Sequence, residues 1–205
     1  MLHKISKHNH KRGEKMYFKE QIEKYIPYNE QEERDKESML QFIETFDNSL
    51  TRENVFGHFT ASAWVVNKER TKVLMIYHNI YKSWAWTGGH ADGETDLLQT
   101  AIREVKEETG VKNVKPVTED IFSLEVLTVD GHIKRGKYVS SHLHLNLTYL
   151  LEVDETEVLK IKEDENSGVK WVKFEDVPNM SEEKWMVENV YNKIIEKVRE
   201  KKQNA

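Results

Sequence analysis

Apolar residues recur along this chain with two different periods, and the switches between them mark its elements. Tyr17, Ile22 and Tyr25 stand at helical spacing and predict a first helix that ends before Pro27. Asn29 is placed to cap a second helix running to about Phe46, with Met39, Phe42 and Ile43 facing inward. After Asn54 the period shortens. Thr60–Val66 and Lys72–His78 are rich in Val, Ala, Leu, Ile and Tyr, and the polar turn Asn67-Lys68-Glu69-Arg70 between them predicts a hairpin. A short strand through Trp84 and Trp86, on one face, leads to Gly88 and Gly89. Leu97, Leu98, Ala101, Ile102 and Val105 then give an amphipathic helix, capped by Thr95 or Asp96 and ended by Gly110.

Beyond this helix, strands are predicted at Ile121–Val129, His142–Val153 and Val169–Phe174. In the long one, Leu143, Leu145, Leu147 and Tyr149 alternate with His142, His144 and Asn146, so one face is apolar and the other polar. A zinc site at His142 and His144 would need further ligands, and no spacing supplies them. The expectation is an open polar face, with lining of a substrate pocket as its functional role. Residues 130–141, with Lys134, Arg135 and Lys137, read as a mobile loop whose cations could meet phosphates. Ser181 is expected to cap a terminal helix with Trp185, Val190, Ile194 and Val198 inside, ending in a charged tail after Arg199.

The polar side of the Leu97–Val105 helix changes the picture. Glu104, Glu107 and Glu108 fall at i, i+3 and i+4, gathering three carboxylates beside the apolar stripe. Such like-charge pairs destabilise a helix by roughly 0.2–0.5 kcal/mol each, and two of these residues lie in the last turn, where the helix dipole is already negative. A hard divalent cation would offset this, because Mg²⁺ and Mn²⁺ take oxygen ligands. A solvated acidic face, part neutralised by Arg103 and Lys106, is the alternative, and the flanking glycines favour the ligand.

These residues resemble the Nudix box, G-x5-E-x7-R-E-U-x-E-E-x-G-U with U aliphatic. The match starts at Gly89 and continues through Arg103, Glu104, Val105, Glu107, Glu108, Gly110 and Val111. Thr95 replaces the first box glutamate, with Glu94 just before it. The resemblance implies an α/β fold, an α/β/α sandwich with a mixed β-sheet, here with an N-terminal helical extension. It implies Mg²⁺ or Mn²⁺ on Glu104, Glu107 and Glu108, with Arg103 orienting a glutamate. It also implies a further acid in a loop before a late strand, for which Glu165 is the first candidate and Glu163 the second. Proton removal would fall to Glu104 or Glu165. Gly88 and Gly89 would approach the substrate, with Trp86 and His144 lining it.

Composition bounds the rest. A chain of 205 residues holds one core domain with extensions, here a flexible basic tail at 1–13, a helical extension at 14–53 and the box-bearing domain at 54–205. His3, His8 and His10 fall in the tail, which reads as frayed. A net charge of −5 argues against a nucleic-acid surface, leaving small nucleotides or other diphosphates as partners. With no cysteine, there is no disulfide framework and no thiol nucleophile. No membrane span or secretory signal is visible, so a soluble cytoplasmic protein is the default. The N-terminal helices are left as a lid, a homodimer contact or a substrate-selecting shoulder.

The reading is therefore a metal-dependent pyrophosphohydrolase acting on a nucleoside diphosphate linked to another moiety. Isopentenyl diphosphate isomerase, similar in the box, uses a cysteine that is absent here. The alternative is a nucleotide-sensing module of the same fold without turnover.

Overall fold

The computed structural model describes residues 18–134 and 136–203. The basic tail with His3, His8 and His10, together with Tyr17 and Arg135, lies outside the described residues. The chain divides into two compact units, Met1–Ala61 with His90–Leu97 and Asp120–Leu147, and Ser62–Gly89 with Leu98–Glu119 and Thr148–Ala205.

In the first unit, residues 18–24 are helical (α1) and α2 spans Glu30–Thr45. Asn29 caps α2 by accepting the Glu32 N–H, and Met39 and Ile43 are buried, as the pattern predicts. Phe18 meets Phe59 edge-on at 4.7 Å. The unit also holds the start of β1 (Gly57–Val66), β6 (Ser123–Val129) and the start of β9 (His142–Glu152). Residues 130–141 do not form the expected loop: β7 (His132–Lys134) and β8 (Lys137–Val139) pair as a hairpin in which Lys134 is opposite Lys137. Ile133 and Tyr138 are cross-strand partners there, a β-branched and aromatic pair of the kind that supports an antiparallel pairing.

The second unit carries β2 (Lys72–His78), β3 (Ser83–Ala85), β4 (Thr87–His90, all but its last residue), α3 (Leu97–Thr109, all but its first), β5 (Lys115–Pro116) and β10 (Asn166–Lys173). Sheet order is β10-β2-β1-β9-β5, with β3 also on β2. The predicted hairpin forms with Val66 opposite Val73, and β10 runs antiparallel to β2. Trp64 is fully buried and packs on Tyr191 at 5.5 Å. Gly110 ends α3 at φ 76°, and a β-carbon there would stand 2.8 Å from Lys160 Cβ.

The C-terminus departs from the expected single helix. Two short helices, α4 (Val177–Met180) and α5 (Lys184–Met186), precede a π-helical turn at Val187–Tyr191 and then α6 (Asn192–Gln203). Ser181 is the C-cap of α4, and the N-cap of α5 is Glu183. Val190, Ile194 and Val198 are fully buried, but Trp185 is 52% exposed. The reason is the wide turn: the Asn192 N–H reaches back five residues to Val187, and one extra residue rotates everything upstream by about 100° relative to α6.

Candidate active site

Strand β4 and helix α3 set the carboxylates. Gly88 donates its N–H to Glu108 Oε2 at 3.0 Å, and Gly89 lies against Glu104 so closely that a β-carbon would stand 2.4 Å from Glu104 Cδ. Gly89 therefore acts by what it leaves out: a β-carbon at 89 would run into the Glu104 carboxylate. Helical spacing then brings Glu104, Glu107 and Glu108 to one side of α3, as the sequence predicts.

Arg103 lies across two of them. Its Nη2 donates to Glu104 Oε1 at 3.1 Å and its Nε is 3.8 Å from Glu107 Oε1. Lys162, which the sequence reading did not single out, closes the cluster. Its Nζ is 3.2 Å from Glu107 Oε2 and 3.0 Å from Glu165 Oε2. Asn166 holds this loop: its Nδ2 donates to the Glu108 carbonyl at 2.9 Å while its N–H donates to the Lys162 carbonyl at 2.8 Å. Glu165 thus shares a cation with Glu107, whereas the second candidate, Glu163, is exposed.

The electrostatics follow from burial. Glu108 is 3% exposed, and desolvation pushes its pKa up to about 8; the Gly88 N–H opposes that rise, while the charges of Glu104 and Glu165 add to it. Glu104 is raised too, first by burial and then by Glu107, with Arg103 acting against both. Burial works to lower Lys162, but its bonds to Glu165 and Glu107 more than compensate and the pKa is raised. Glu104 and Glu108, oxygen donors whose charged form burial disfavours, fit a hard divalent cation.

The aromatic candidates are differently placed. Trp86 is 9% exposed and meets Tyr191 edge-on at 5.6 Å. Trp84 is half-buried beneath Lys170 Nζ, which stands 4.3 Å above its ring.

His144 belongs to the first unit, and there the expected open polar face is not found. Asn146 is buried, bonded to Thr60 Oγ1 at 3.0 Å and to Glu125 Oε2 at 3.1 Å. His142 and His144 are half-buried and meet His58, which is 4% exposed. His58 and His90 escaped the sequence reading because they are single histidines far apart in the chain, and only strand pairing gathers them. Burial, aided by the charge of His142, pushes His58 down to about 4 and keeps its ring neutral.

The loop after β4 carries the Thr95 departure. Asp92 takes a bidentate ion pair from Arg52 (2.6 and 2.7 Å), and the Gly93 N–H donates to the Leu50 carbonyl at 2.9 Å. These contacts brace the loop from the segment before β1.

The NUDIX domain family model matches residues 57–196. The chain belongs to the Nudix family. Over 140 residues it is 30% identical to an RNA pyrophosphohydrolase of Pelagibacter ubique (strain HTCC1062), covering 66% of this chain and 87% of that protein. It is 29% identical to a probable DHNTP pyrophosphohydrolase of Lactococcus lactis subsp. cremoris (strain MG1363), covering 67% and 78%. The crystal structure of a C. elegans Ap4A hydrolase binary complex is similar in fold, with a TM-score of 0.53 at 20% identity over 72% of this chain and 98% of that one. The fold is accordingly the Nudix one, an α/β architecture of sheet and helices, with an N-terminal helical segment in addition. The class of enzyme is a Nudix-type pyrophosphohydrolase. Among the described residues, no helix is long and apolar enough to cross a membrane.

Proposed function

We propose that this Nudix pyrophosphohydrolase cleaves the anhydride between two phosphates of a small nucleotide, a nucleoside diphosphate linked to another moiety, with Mg²⁺ or Mn²⁺ held by Glu104, Glu107 and Glu108. One observation carries the reading: of three carboxylates on one side of α3, Glu107 meets Glu165 on Lys162, while Glu108 and Glu104 are seated against Gly88 and Gly89.

A diphosphate resists hydrolysis because its charged oxygens repel the nucleophile and its leaving group departs as an anion. The divalent ion, when bound, neutralises those oxygens and makes hydroxide available near neutral pH. The chain's own residues do the rest. Gly88 and Gly89 carry no side chain, so the backbone of β4 lets a phosphate come close. Arg103 steadies Glu104 and Glu107 rather than reaching for substrate. Glu165 takes the proton of the attacking water, since the other three carboxylates are committed to the ion. Water adds to phosphorus, the bridging P–O bond breaks, and two phosphate-ended products leave.

The test is a panel of nucleoside diphosphate sugars, dinucleoside polyphosphates, ADP-ribose and oxidised nucleoside triphosphates, each incubated with Mg²⁺ or Mn²⁺ and assayed for released phosphate products. Turnover of at least one, together with a rise in melting temperature on adding the metal, supports the proposal. Binding of nucleotide without turnover of any would favour the sensor reading. An unchanged melting curve at millimolar metal, with no bound ion by calorimetry, would remove the ion from the site.

A further inference from the structure

The first unit gathers four imidazoles that the carboxylate chemistry does not use. Ligand atoms of His58, His90 and His144 lie within 4.8 Å of one another. The ring centroids of His58 stand 5.0 Å from His90, 5.0 Å from His142 and 5.1 Å from His144, and those of His90 and His144 are 5.0 Å apart. Imidazoles bound tetrahedrally to one ion at a Zn–N distance of about 2.05 Å have centroids about 5.2 Å apart. The rings are therefore spaced close to those of a coordination shell, and the ligand atoms, within 4.8 Å of one another, would draw in to about 3.3 Å on an ion.

A second observation is independent of spacing. His58 is 4% exposed, and neither of its ring nitrogens has a hydrogen-bond partner; the Asn54 backbone offers only a weaker polar contact. Buried polar atoms are ordinarily satisfied, and an orphaned ring inside a group of other imidazoles is short of an electron-pair acceptor. The neighbouring ring is already oriented. His142 Nδ1 lies 2.9 Å from the Ser140 carbonyl, which can only accept, so that nitrogen carries a proton and in the neutral ring Nε2 is left bare. That bare Nε2 is 3.3 Å from His144 Nε2, close to the edge of a zinc tetrahedron, about 3.3 Å.

We infer that His58, His90 and His144 form a binding site for a first-row divalent metal of the zinc class, with His142 beside it to supply a fourth nitrogen. Neutral imidazole suits Zn²⁺, Co²⁺, Ni²⁺ or Cu²⁺ and is a poor match for Mg²⁺. The site shares no residue with Glu104, Glu107 and Glu108 and does not rest on their assignment. Its ligands come from β1, from the end of β4 and from β9, so an ion there would tie three separate stretches of the first unit together.

The experiment uses the full, untagged chain, stripped with a chelator and titrated with Co²⁺ and then Zn²⁺ in excess Mg²⁺. The expected result is about one equivalent of Co²⁺ with the visible absorption of a tetrahedral nitrogen-ligated ion, displaced by Zn²⁺, with a higher melting temperature. His90→Gln and His144→Gln should each weaken Zn²⁺ binding by roughly tenfold or more with circular dichroism unchanged. The Glu104→Gln/Glu107→Gln double variant should keep the absorption, which separates this site from the carboxylate one. His58→Gln is the harsher change and, if it fails to fold, the other two variants still decide. No tetrahedral absorption in the wild type, or an absorption that survives both His90→Gln and His144→Gln, would overturn the inference.

Discussion

Glu32 of α2 and Glu125 of β6, both fully buried, are joined through one hydroxyl, that of Ser123. Glu32 is also held by the Tyr25 hydroxyl and by the Tyr28 N–H at 2.8 Å, and Glu125 accepts from Asn146. The N-terminal helix is thereby fastened to β6 by polar bonds inside the first unit. Ser123→Ala should cost about 1–3 kcal/mol, since it removes a hydroxyl that lies between two buried carboxyl groups and donates its single proton to one of them at a time. Urea unfolding followed by tryptophan fluorescence measures it, and Glu32→Gln, which keeps an oxygen acceptor, should cost less.

Glu107→Gln should lower kcat by roughly a hundredfold or more while leaving the fold intact, because its carboxylate is half-exposed and its ion pairs lie near the surface. Steady-state kinetics beside circular dichroism read both halves. Near-normal turnover would remove Glu107 from the mechanism.

Gly89→Ala and Glu104→Ala should interact. Alone, Gly89→Ala drives a methyl into the Glu104 carboxylate and should cost about 1–3 kcal/mol together with most of the activity. In a Glu104→Ala background that stability cost should shrink by roughly 1 kcal/mol or more. A double-mutant cycle in denaturant checks the coupling.

Glu108 gives the metal-free protein a pH dependence whose sign is fixed. Its folded pKa is raised, to about 8, so the folded chain holds a proton that the unfolded chain releases at a lower pH. The stability this lends is whole below the ordinary carboxylate range and is lost as pH climbs from about 4.5 to about 8. Glu108→Gln stays neutral, so without metal it should melt above wild type by a margin that widens over this interval, to roughly 5 °C or more. Thermal scans in chelator across the interval test it.

Lys162→Met should reveal the cation it replaces. Glu107 and Glu165 would then lose the cation they share, with Arg103 left beside Glu107, so the metal-free protein should melt lower, and the rise on adding Mg²⁺ should be larger than in wild type. Equal rises would show that Lys162 does not compete for these carboxylates.

What the sequence revealed was whatever is local in the chain. The α2 cap at Asn29, the β1–β2 hairpin and the three glutamates on one side of α3 all follow from spacing within a few residues. What it hid depends on residues far apart. Lys162 becomes part of the cluster only because Asn166 fastens its loop to the end of α3. His58 and His90 join His144 only through strand pairing, so the polar face of β9 read as open when it is closed. Trp185 was misplaced for a different reason, a single residue inserted into the helical repeat at Val187–Tyr191, which a fixed period cannot register.

The ion pair between Arg52 and Asp92 reaches outside the stretch that the family has in common, since Arg52 precedes Gly57. Trimming the chain to those shared limits would remove Leu50 and Arg52 together and leave the turn at Asp92 and Gly93 without its two outside anchors. In this enzyme the tether for that turn comes from a segment of its own, so the smallest active fragment should begin upstream of the homologous region.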